Sequence, residues 1–358
     1  MMSSESGRVG PDGNGLAGND AADLDAAIAA SAAGLTERLQ RRRCRLRVDT
    51  WDPEYGTSVE LSDADDLGPA NVRLDLEGPW SPLTPALPEI LPSVAFIDGV
   101  RRIDIRLFAE VDAEFAPAVA GSWAVGVAWS ARPPLIDAVR IGRTLVVGGG
   151  LAHQDLVGAV GDHALTYSFA GVTGVTPADP VQGLQNAMRA AEGQLAAETF
   201  ASGRAALMML DGPLTYFAAN GPVVGVIKRQ SRPYLPPERA SLLATLEVGQ
   251  RTPLFAIVNQ QLERFSWYAR IGRRRSIDGT MTGIVRLEVS AEVGVTEAAR
   301  IANQATAILP LFATEIGRDA RAPQNLYPVA QLEATLRHRL GDPALIRRAL
   351  ESALWSDL

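Results

Sequence analysis

The chain has 358 residues, of which 47% are hydrophobic, so it can build one large core or two ordinary ones. Its formal net charge of −7 argues against a wholly basic surface for nucleic acid, although local basic patches remain open to that role. One cysteine excludes an intrachain disulfide framework and a cysteine-rich zinc site, and three histidines make a histidine-based metal site a poor fit. Any metal would therefore be held by carboxylates and would be a hard ion such as Mg²⁺ or Mn²⁺.

The first residues show neither the basic start nor the apolar middle of a secretory signal. No run reaches the roughly 18 apolar residues of a membrane helix. We therefore expect a soluble, cytoplasmic protein without a membrane partner, which the single cysteine also fits.

Composition divides the chain into three parts. Residues 1–22 are rich in Gly, Ser, Asp and Asn and predict a disordered tail. Residues 23–92 predict an extension that is first helical, with apolar residues at helical spacing from Leu24 to Leu39, and then irregular. Residues 93–358 predict the main domain.

The main domain starts with strand patterns and ends with helix patterns. A meander-like sheet is predicted from strands at 94–111, 121–131, 138–148 and 164–172. A helix follows to Ser202, with Asp179 as its N-cap, and the strands around 206–211 and 222–230 are predicted to form a hairpin. The remaining predicted elements are a helical stretch at 236–248, strands at 253–258, 264–271 and 283–290, and helices at 295–309, 328–340 and 343–355.

Two aspartates are placed alike in the predicted strands. VAFIDGV at 94–100 and ALMMLDGPL at 206–214 both carry an apolar run into Asp-Gly, at Asp98 and Asp211. A carboxylate at the rim of a buried strand loses hydration, and pairing or metal coordination must offset that loss. The alternative is that each Asp-Gly is only a turn that ends a strand. The recurrence of the arrangement favours a metal site.

Predicted helices supply further acids. Glu192 and Glu198 flank the apolar stripe of the first long helix on opposite sides, so periodicity leaves open which one faces a site. Glu333 lies beside the apolar stripe of the 328–340 helix, whereas His338 faces away from that stripe. Asp98, Asp211, Glu192 and Glu333 form a set that fits two-metal phosphodiester hydrolysis. The chain has no serine-nucleophile or phosphate-loop motif.

Basic and aromatic residues are candidates for contacts with DNA. Arginines next to Asp98 suit a phosphate backbone, and an aromatic strand residue can stack on an unpaired base. Solvated strand ends and an aromatic core are the alternative readings. The candidates are Arg101, Arg102, Lys228, Arg229, Tyr268, Arg273, Arg274 and Arg275.

Six segments in this order carry a family resemblance: DGV at 98–100, MRAAE at 188–192, LMMLDGPL at 207–214, VIKRQ at 226–230, WYARI at 267–271 and NLYPV at 325–329. Together they resemble the NurA family of DNA-repair nucleases, over roughly residues 90–345. The resemblance implies an α/β ribonuclease-H-like mixed β-sheet flanked by helices, here with an N-terminal helical extension. It also implies Mn²⁺-dependent 5′-to-3′ exonuclease and single-strand endonuclease activity on single- and double-stranded DNA, with Mg²⁺ as a second candidate ion. A homodimer and a HerA-type hexameric DNA-translocating ATPase are the implied partners.

By this resemblance Asp98 and Asp211 match the two strand acids of the metal site, Glu192 matches the helix acid, and Lys228 matches the lysine after the second acid. The C-terminal helix departs from the pattern. It offers Gln331 and Glu333 where the family pattern has a histidine or aspartate, so the resemblance leaves the fourth ligand open. A non-catalytic relative acting as an adaptor or DNA-binding subunit is the alternative function. An actin-like phosphotransferase is a weaker one, because a second glycine-rich phosphate loop is missing.

Overall fold

Long apolar stretches in the middle of the chain form a mixed β-sheet in a computed structural model, which describes residues 44–50, 71–112, 114–229, 232–258 and 263–356. The strands are β1 (Arg45–Val48), β2 (Asn71–Arg73), β3 (Val94–Val111), β4 (Glu114–Trp129), β5 (Leu135–Val147), β6 (Leu156–Val160), β7 (His163–Gly171), β8 (Leu207–Asp211), β9 (Val223–Ile227), β10 (Phe255–Val258), β11 (Glu263–Arg270) and β12 (Ile284–Ser290). The helices are α1 (Ala178–Ala201), α2 (Pro237–Ala240), α3 (Leu242–Thr245), α4 (Val295–Ile308), α5 (Tyr327–Arg339) and α6 (Pro343–Ser356).

The described strands make one twelve-stranded sheet in the order β2-β10-β11-β12-β9-β8-β3-β4-β5-β7-β6, and β1 pairs with the far end of β3. Three neighbouring strands, β3, β4 and β5, are antiparallel. On the other side of β3, strands β8 and β9 run parallel to it. Helices cover both faces, so the expected α/β architecture, a mixed β-sheet flanked by helices, is confirmed.

Alternation along β3 sends its side chains to two different cores. Phe96 and Val100 pack against α4 and α5 on one face. Ile97 packs against α1 on the other face, together with Leu210 of β8. Asp98 lies between Phe96 and Val100 in this alternation, so its side chain points toward α5. Its neighbours Ile97 and Gly99 face α1.

Several sequence predictions hold and others are wrong. Asp342 caps α6 as the Asp-Pro pair indicates, since its Oδ1 accepts a hydrogen bond from the Leu345 amide at 2.9 Å. Asp179 does not cap α1. The helix begins at Ala178, and the Asp179 carboxylate turns back to accept hydrogen bonds from the Thr176 amide and hydroxyl at 2.7 and 2.6 Å. The predicted helical stretch at 236–248 is two short helices, α2 and α3.

Two predictions of strand pairing are also wrong. Strands β8 and β9 are not a hairpin, because residues 212–222 carry the chain back to the starting edge and the two strands pair in parallel. The predicted meander stops at β5, since β7 pairs with β5 in parallel and forms its hairpin with the unpredicted strand β6. Asp98 lies inside β3 and not at its end, because the strand continues through Gly99 to Val111.

The predicted tail at 1–22 and the helix from Leu24 to Leu39 lie outside the described residues. Within the part of the chain that the structure covers, no helix is long and apolar enough to cross a membrane.

Candidate metal centre

Strand register brings Asp98 and Asp211 together. The parallel pairing of β3 with β8 ends at Ile97 and Leu210, so Asp98 and Asp211 are the next residues on the two neighbouring strands. Neighbouring strands lie about 4.8 Å apart, and equivalent positions in a parallel pair face the same side. Gly212 then takes a φ of +105°, which favours glycine, and turns the chain away directly after Asp211. The two carboxylates therefore stand side by side under α5.

Helix α5 adds the third acid. Oxygen atoms of Asp98, Asp211 and Glu333 all lie within 4.8 Å of one another. Glu333 is 5% exposed and follows Leu332, which is fully buried in the core under the same helix. Gln331, the competing candidate, is exposed. The stripe that packs α5 on the sheet therefore also carries Glu333 to the strand acids.

Asp98 is the acid with the least compensation. It is 6% exposed, and its Oδ2 is a buried oxygen without a hydrogen-bond partner among the described residues. Burial raises the pKa of Asp98 well above its ordinary value, and the neighbouring carboxylates of Asp211, Glu192 and Glu333 raise it further against the opposing effect of Lys228. A buried polar atom without a partner is rare in folded proteins. This atom is therefore a candidate ligand for a bound cation.

Cationic side chains hold the other two acids of the cluster. Lys228 Nζ, just past the end of β9, donates to Asp211 Oδ2 at 2.8 Å and to Asn325 Oδ1 at 3.2 Å. Arg321 binds both oxygens of Glu333, at 2.8 and 2.9 Å. Arg337, one turn along α5, donates to Glu333 Oε2 at 2.9 Å. The side chains of Asp211 and Glu333 are thus fixed in orientation before any ligand binds.

The loop before α5 organises these cations. Asp319 Oδ1 accepts from the Arg321 amide at 2.8 Å, and Asp319 Oδ2 accepts from Asn325 Nδ2 at 2.6 Å. Partial burial alone would raise the pKa of Asp319, but these hydrogen bonds and the Arg321 guanidinium lower it to about 2. An ionised Asp319 therefore holds Arg321 against Glu333 and Asn325 against Lys228.

Glu192 approaches the cluster from the α1 face. Gly99 permits this, because a Cβ at that position would lie 2.5 Å from Glu192 Oε1. Arg189 Nη1 donates to Glu192 Oε2 at 2.8 Å and to the Asp211 carbonyl at 2.7 Å. Although burial opposes it, the carboxylate of Glu192 raises the pKa of Arg189. The competing candidate, Glu198, pairs instead with Arg140 on the exposed surface.

The donor set fits a hard divalent cation. Three carboxylates converge, a fourth lies across the strand, and one oxygen of Asp98 lacks a partner among the described residues. Oxygen ligands of this kind are what Mg²⁺ and Mn²⁺ prefer. A cation there would also lower the electrostatic cost of ionising Asp98 beside Asp211.

Some of the predicted DNA-contacting residues lie near the acid cluster and others lie away from it. Arg101 lies on the α1 face, where its Nε donates to Gln185, and burial followed by the charge of Arg189 lowers the pKa of Arg101. Lys228 touches the acid cluster, and Arg229 and Tyr268 line a cavity next to Lys228. Arg102 does not join them. It donates to the Gly341 carbonyl at 2.8 Å, beyond the C-terminal end of α5, whereas Glu333 lies in the middle of that helix.

The remaining three predicted residues lie in the loop between β11 and β12. Arg273, Arg274 and Arg275 are all exposed. Arg275 pairs with Asp278 at 2.9 Å within that loop. Tyr268, which the aromatic pattern suggested for base stacking, is 2% exposed and stacks on Phe255 at 5.7 Å between ring centroids. Its ring is thus mainly part of the core.

Arg337, one helical turn after Glu333, was not predicted. Four further residues of the site were not predicted either: Arg189, Asp319, Arg321 and Asn325. Arg189 lies one helical turn before Glu192, and this spacing is the only local signal that was available for it. The other three lie in an irregular loop. Asn325 contacts Lys228, which is 97 residues away in sequence, and Arg321 contacts Glu333, which is 12 residues away. Periodicity carries no information about such contacts.

Residues 179–335 match the family model described as the NurA domain. That range contains Glu192, Asp211, Lys228 and Glu333, and Asp98 lies before it. Among solved structures, the chain is similar to the crystal structure of the NurA nuclease from Sulfolobus solfataricus, with 10% identity and a TM-score of 0.43 over 78% of this chain and 87% of that chain. It is also similar to the crystal structure of human ENDOV, with 13% identity and a TM-score of 0.32 over 70% and 84% of the two chains. No curated protein sequence matches the chain.

Proposed function

The chain contains a NurA domain and belongs to the NurA family, and from that premise we propose that it is a metal-dependent DNA nuclease. Asp98, Asp211 and Glu333 hold a divalent cation, and Glu192 completes the acidic set from the opposite face of β3. The observation that carries this proposal is the buried Asp98 Oδ2, which lacks a hydrogen-bond partner among the described residues and belongs to a group of three converging carboxylates.

A bound Mn²⁺ or Mg²⁺ would supply Lewis-acid activation of a water and stabilisation of the leaving oxygen. The side chains around it orient the ligands. Lys228 fixes Asp211, and Arg321 and Arg337 fix Glu333. An ammonium group has three donor hydrogens, and Lys228 uses two of them on Asp211 and Asn325. Among the described residues no hydrogen-bond acceptor takes the third donor, which we assign to a phosphate oxygen of DNA.

Family membership extends the proposal to finer features. These are Mn²⁺ as the working ion, 5′-to-3′ exonuclease and single-strand endonuclease activity, and a cytoplasmic role in DNA end resection and double-strand break repair. A HerA-type ATPase and a second copy of the chain are the proposed partners. Residues 93–358 are the proposed nuclease domain.

The test is DNA cleavage by wild type and Asp211→Asn, with Mn²⁺ or Mg²⁺ and with EDTA, on single-stranded and double-stranded substrates. Removing one charge-stabilising group from an active site typically costs about 100-fold or more in rate, and we expect at least that loss for Asp211→Asn. Glu198→Gln is the matched control, because Glu198 pairs with Arg140 on the surface and should leave cleavage unchanged. The proposal fails if wild type cuts neither substrate with either ion, also in the presence of the ATPase, or if Asp211→Asn cuts equally well.

One observation favours a non-catalytic adaptor as the second candidate. Arg321 and Arg337 together bind both oxygens of Glu333, and Lys228 binds Asp211, so much of the acidic charge is already neutralised by the protein. An adaptor would need no ion. Calorimetric titration with Mn²⁺ separates the two, since the nuclease predicts saturable binding by wild type and the adaptor predicts none.

A further inference from the structure

A cavity of about 510 Å³ opens beside the acid cluster. This size is within the range of small-molecule sites in proteins. Its lining comes from the chain after β9, from α2 and α3, from β11, from the loop before β12 and from Gln324 in the loop before α5.

Two residues form a wall that the cavity shares with the acid cluster. Lys228 lines the cavity and also donates through Nζ to Asp211. Gln324 Nε2 donates to the Lys228 carbonyl at 3.2 Å, and the neighbouring Asn325 accepts from Lys228 Nζ at the same distance. A molecule in this cavity therefore lies one side chain away from the proposed metal site.

Arg270 ties the rims of the cavity together. Its guanidinium donates to the carbonyls of Leu243 and Leu246 at 3.2 and 2.6 Å and to those of Thr280 and Thr282 at 3.2 and 2.6 Å. Leu243 and Thr280 both line the cavity. The buried guanidinium of Arg270 therefore joins two of the segments that form the cavity wall.

The buried part of the cavity lining is apolar and aromatic, and its more exposed part carries arginines. Tyr234, Leu243 and Tyr268 are buried apolar walls, and Arg286 lies over the Tyr234 ring at 4.8 Å. Arg229 is exposed at the rim and Arg232 is half-buried. None of the described lining residues is acidic. Such a site favours a flat, polarisable group that carries negative charge on one side.

We propose that this cavity receives an unpaired base of a single-stranded nucleic acid, next to the phosphate that the acid cluster cuts. The proposal deepens and rests on the proposed nuclease function. A base packs against the Tyr234 and Leu243 walls, its phosphate lies toward Lys228, and Arg229 and Arg232 meet the flanking backbone. Bases in an intact duplex are stacked on their neighbours and cannot enter, so the cavity selects single strands or unwound ends.

The test fills the cavity from its exposed rim and measures binding without catalysis. Ala244→Trp places an indole into the cavity, and Thr245→Trp is the matched control on the same short helix, because Thr245 is exposed and does not line the cavity. Fluorescence anisotropy in EDTA gives the Kd of each protein for a short oligothymidylate and for an abasic oligonucleotide of the same length. Stacking of one base supports roughly a tenfold difference in affinity, so Ala244→Trp should raise the oligothymidylate Kd about tenfold. Its Kd for the abasic chain should stay near that of wild type.

The wild-type protein tests the proposal even if Ala244→Trp fails to fold, since wild type should prefer oligothymidylate over the abasic chain. Equal affinity of wild type for both would overturn the proposal. Equal oligothymidylate affinity of wild type and a folded Ala244→Trp would also overturn it, and would leave the cavity to a peptide of a protein partner. Cleavage by wild type decides the nuclease function separately. If wild type cuts DNA while Ala244→Trp binds the oligothymidylate as wild type does, the base site is overturned and the nuclease function is supported. If wild type cuts no DNA with its ion and the ATPase present, both proposals are overturned.

Discussion

At the scale of single residues, Asp98 is the group whose environment is least favourable to its own charge. It is buried, it stands beside Asp211 and Glu333, and one of its oxygens has no hydrogen-bond partner among the described residues. A group kept in such a place costs stability, and a function that needs the charge offers a reason for keeping it.

Asp98→Asn should stabilise the metal-free protein. The folded-state pKa of Asp98 lies above its ordinary value of 3.8, mainly because of burial and then because of Asp211 and Glu192. The folded state therefore binds the proton more tightly, and stability falls as pH rises from the ordinary value toward and past the folded one. An amide removes this loss. Thermal unfolding in EDTA should show that the Tm advantage of Asp98→Asn grows from acid to neutral pH, whereas added Mn²⁺ should raise the Tm of wild type only. A variant less stable than wild type at neutral pH would contradict this.

Gly99→Ala tests whether the position of Glu192 matters. The new methyl would lie 2.5 Å from Glu192 Oε1 and 3.0 Å from Val125 Cγ1, so Glu192 has to move. Overpacking of this kind typically costs about 1–3 kcal/mol, and we expect a stability loss in that range together with about a tenfold fall in cleavage rate. Gly279→Ala, which meets no atom within 4 Å, is the control. An unchanged cleavage rate for Gly99→Ala would show that the position of Glu192 does not matter for cleavage.

At the scale of elements, the loop before α5 supplies three residues of the site, Asp319, Arg321 and Asn325, although no motif in the loop indicates this role. Asp319 contacts none of the three converging acids directly in the described hydrogen bonds, yet it orients Arg321 and Asn325, which reach Glu333 and Lys228. The loop therefore couples the C-terminal helix to the end of β9.

Asp319→Asn should weaken metal binding and cleavage through positioning alone. Supporting residues around a metal typically contribute about 10–100-fold to affinity or activity, and we expect a loss in that range. The Mn²⁺ Kd from calorimetry separates this role from a general loss of fold, with Arg318→Gln on the same loop as control, because Arg318 is exposed and pairs with Glu315. The folded pKa of Asp319 is lowered to about 2, so its contribution is complete above the ordinary value of 3.8 and disappears as pH falls toward 2. A wild-type Mn²⁺ affinity in Asp319→Asn would contradict the coupling.

The elements also show which features can be predicted from sequence. Alternating apolar residues locate β3 and β8, and the shared Asp-Gly spacing correctly suggests that Asp98 and Asp211 meet, because neighbouring strands repeat the same in-and-out pattern. The apolar stripe of α5 likewise brings Glu333 under the sheet. Strand direction cannot be predicted in this way. A linker of residues 212–222 is compatible with either direction, and only long-range packing makes β8 and β9 parallel. The contact of Asn325 with Lys228 joins distant parts of the chain, and no periodic pattern in the sequence indicates it.

At the scale of the whole molecule, the net charge of −7 is distributed unevenly. The rim of the cavity carries Arg229 and Arg232, and the β11–β12 loop carries exposed Arg273 and Arg274. Binding of a DNA backbone releases counterions in proportion to the number of phosphates neutralised. A protein that is acidic overall can therefore still bind DNA through such local patches.

The double variant Arg273→Ala with Arg274→Ala tests whether the β11–β12 loop contacts DNA. Each lost phosphate contact with single-stranded DNA should reduce the slope of log Kd against log salt by about 0.7, so the double change should reduce it by up to about 1.4. Anisotropy titrations with single-stranded DNA across a salt series measure this slope. Arg300→Ala is the control, because Arg300 pairs with Glu297 on the surface of α4. An unchanged slope would show that the loop lies off the path of DNA.

We propose that Asp98, Asp211 and Glu333 are ligands of one divalent metal centre. The most direct measurement is anomalous diffraction from crystals soaked in Mn²⁺, for wild type and for Asp98→Asn. We predict an anomalous peak among the three carboxylates in wild type and its absence in Asp98→Asn. A wild-type crystal without a peak at these carboxylates, with Glu333 still bound only by Arg321 and Arg337, would rule out this metal centre.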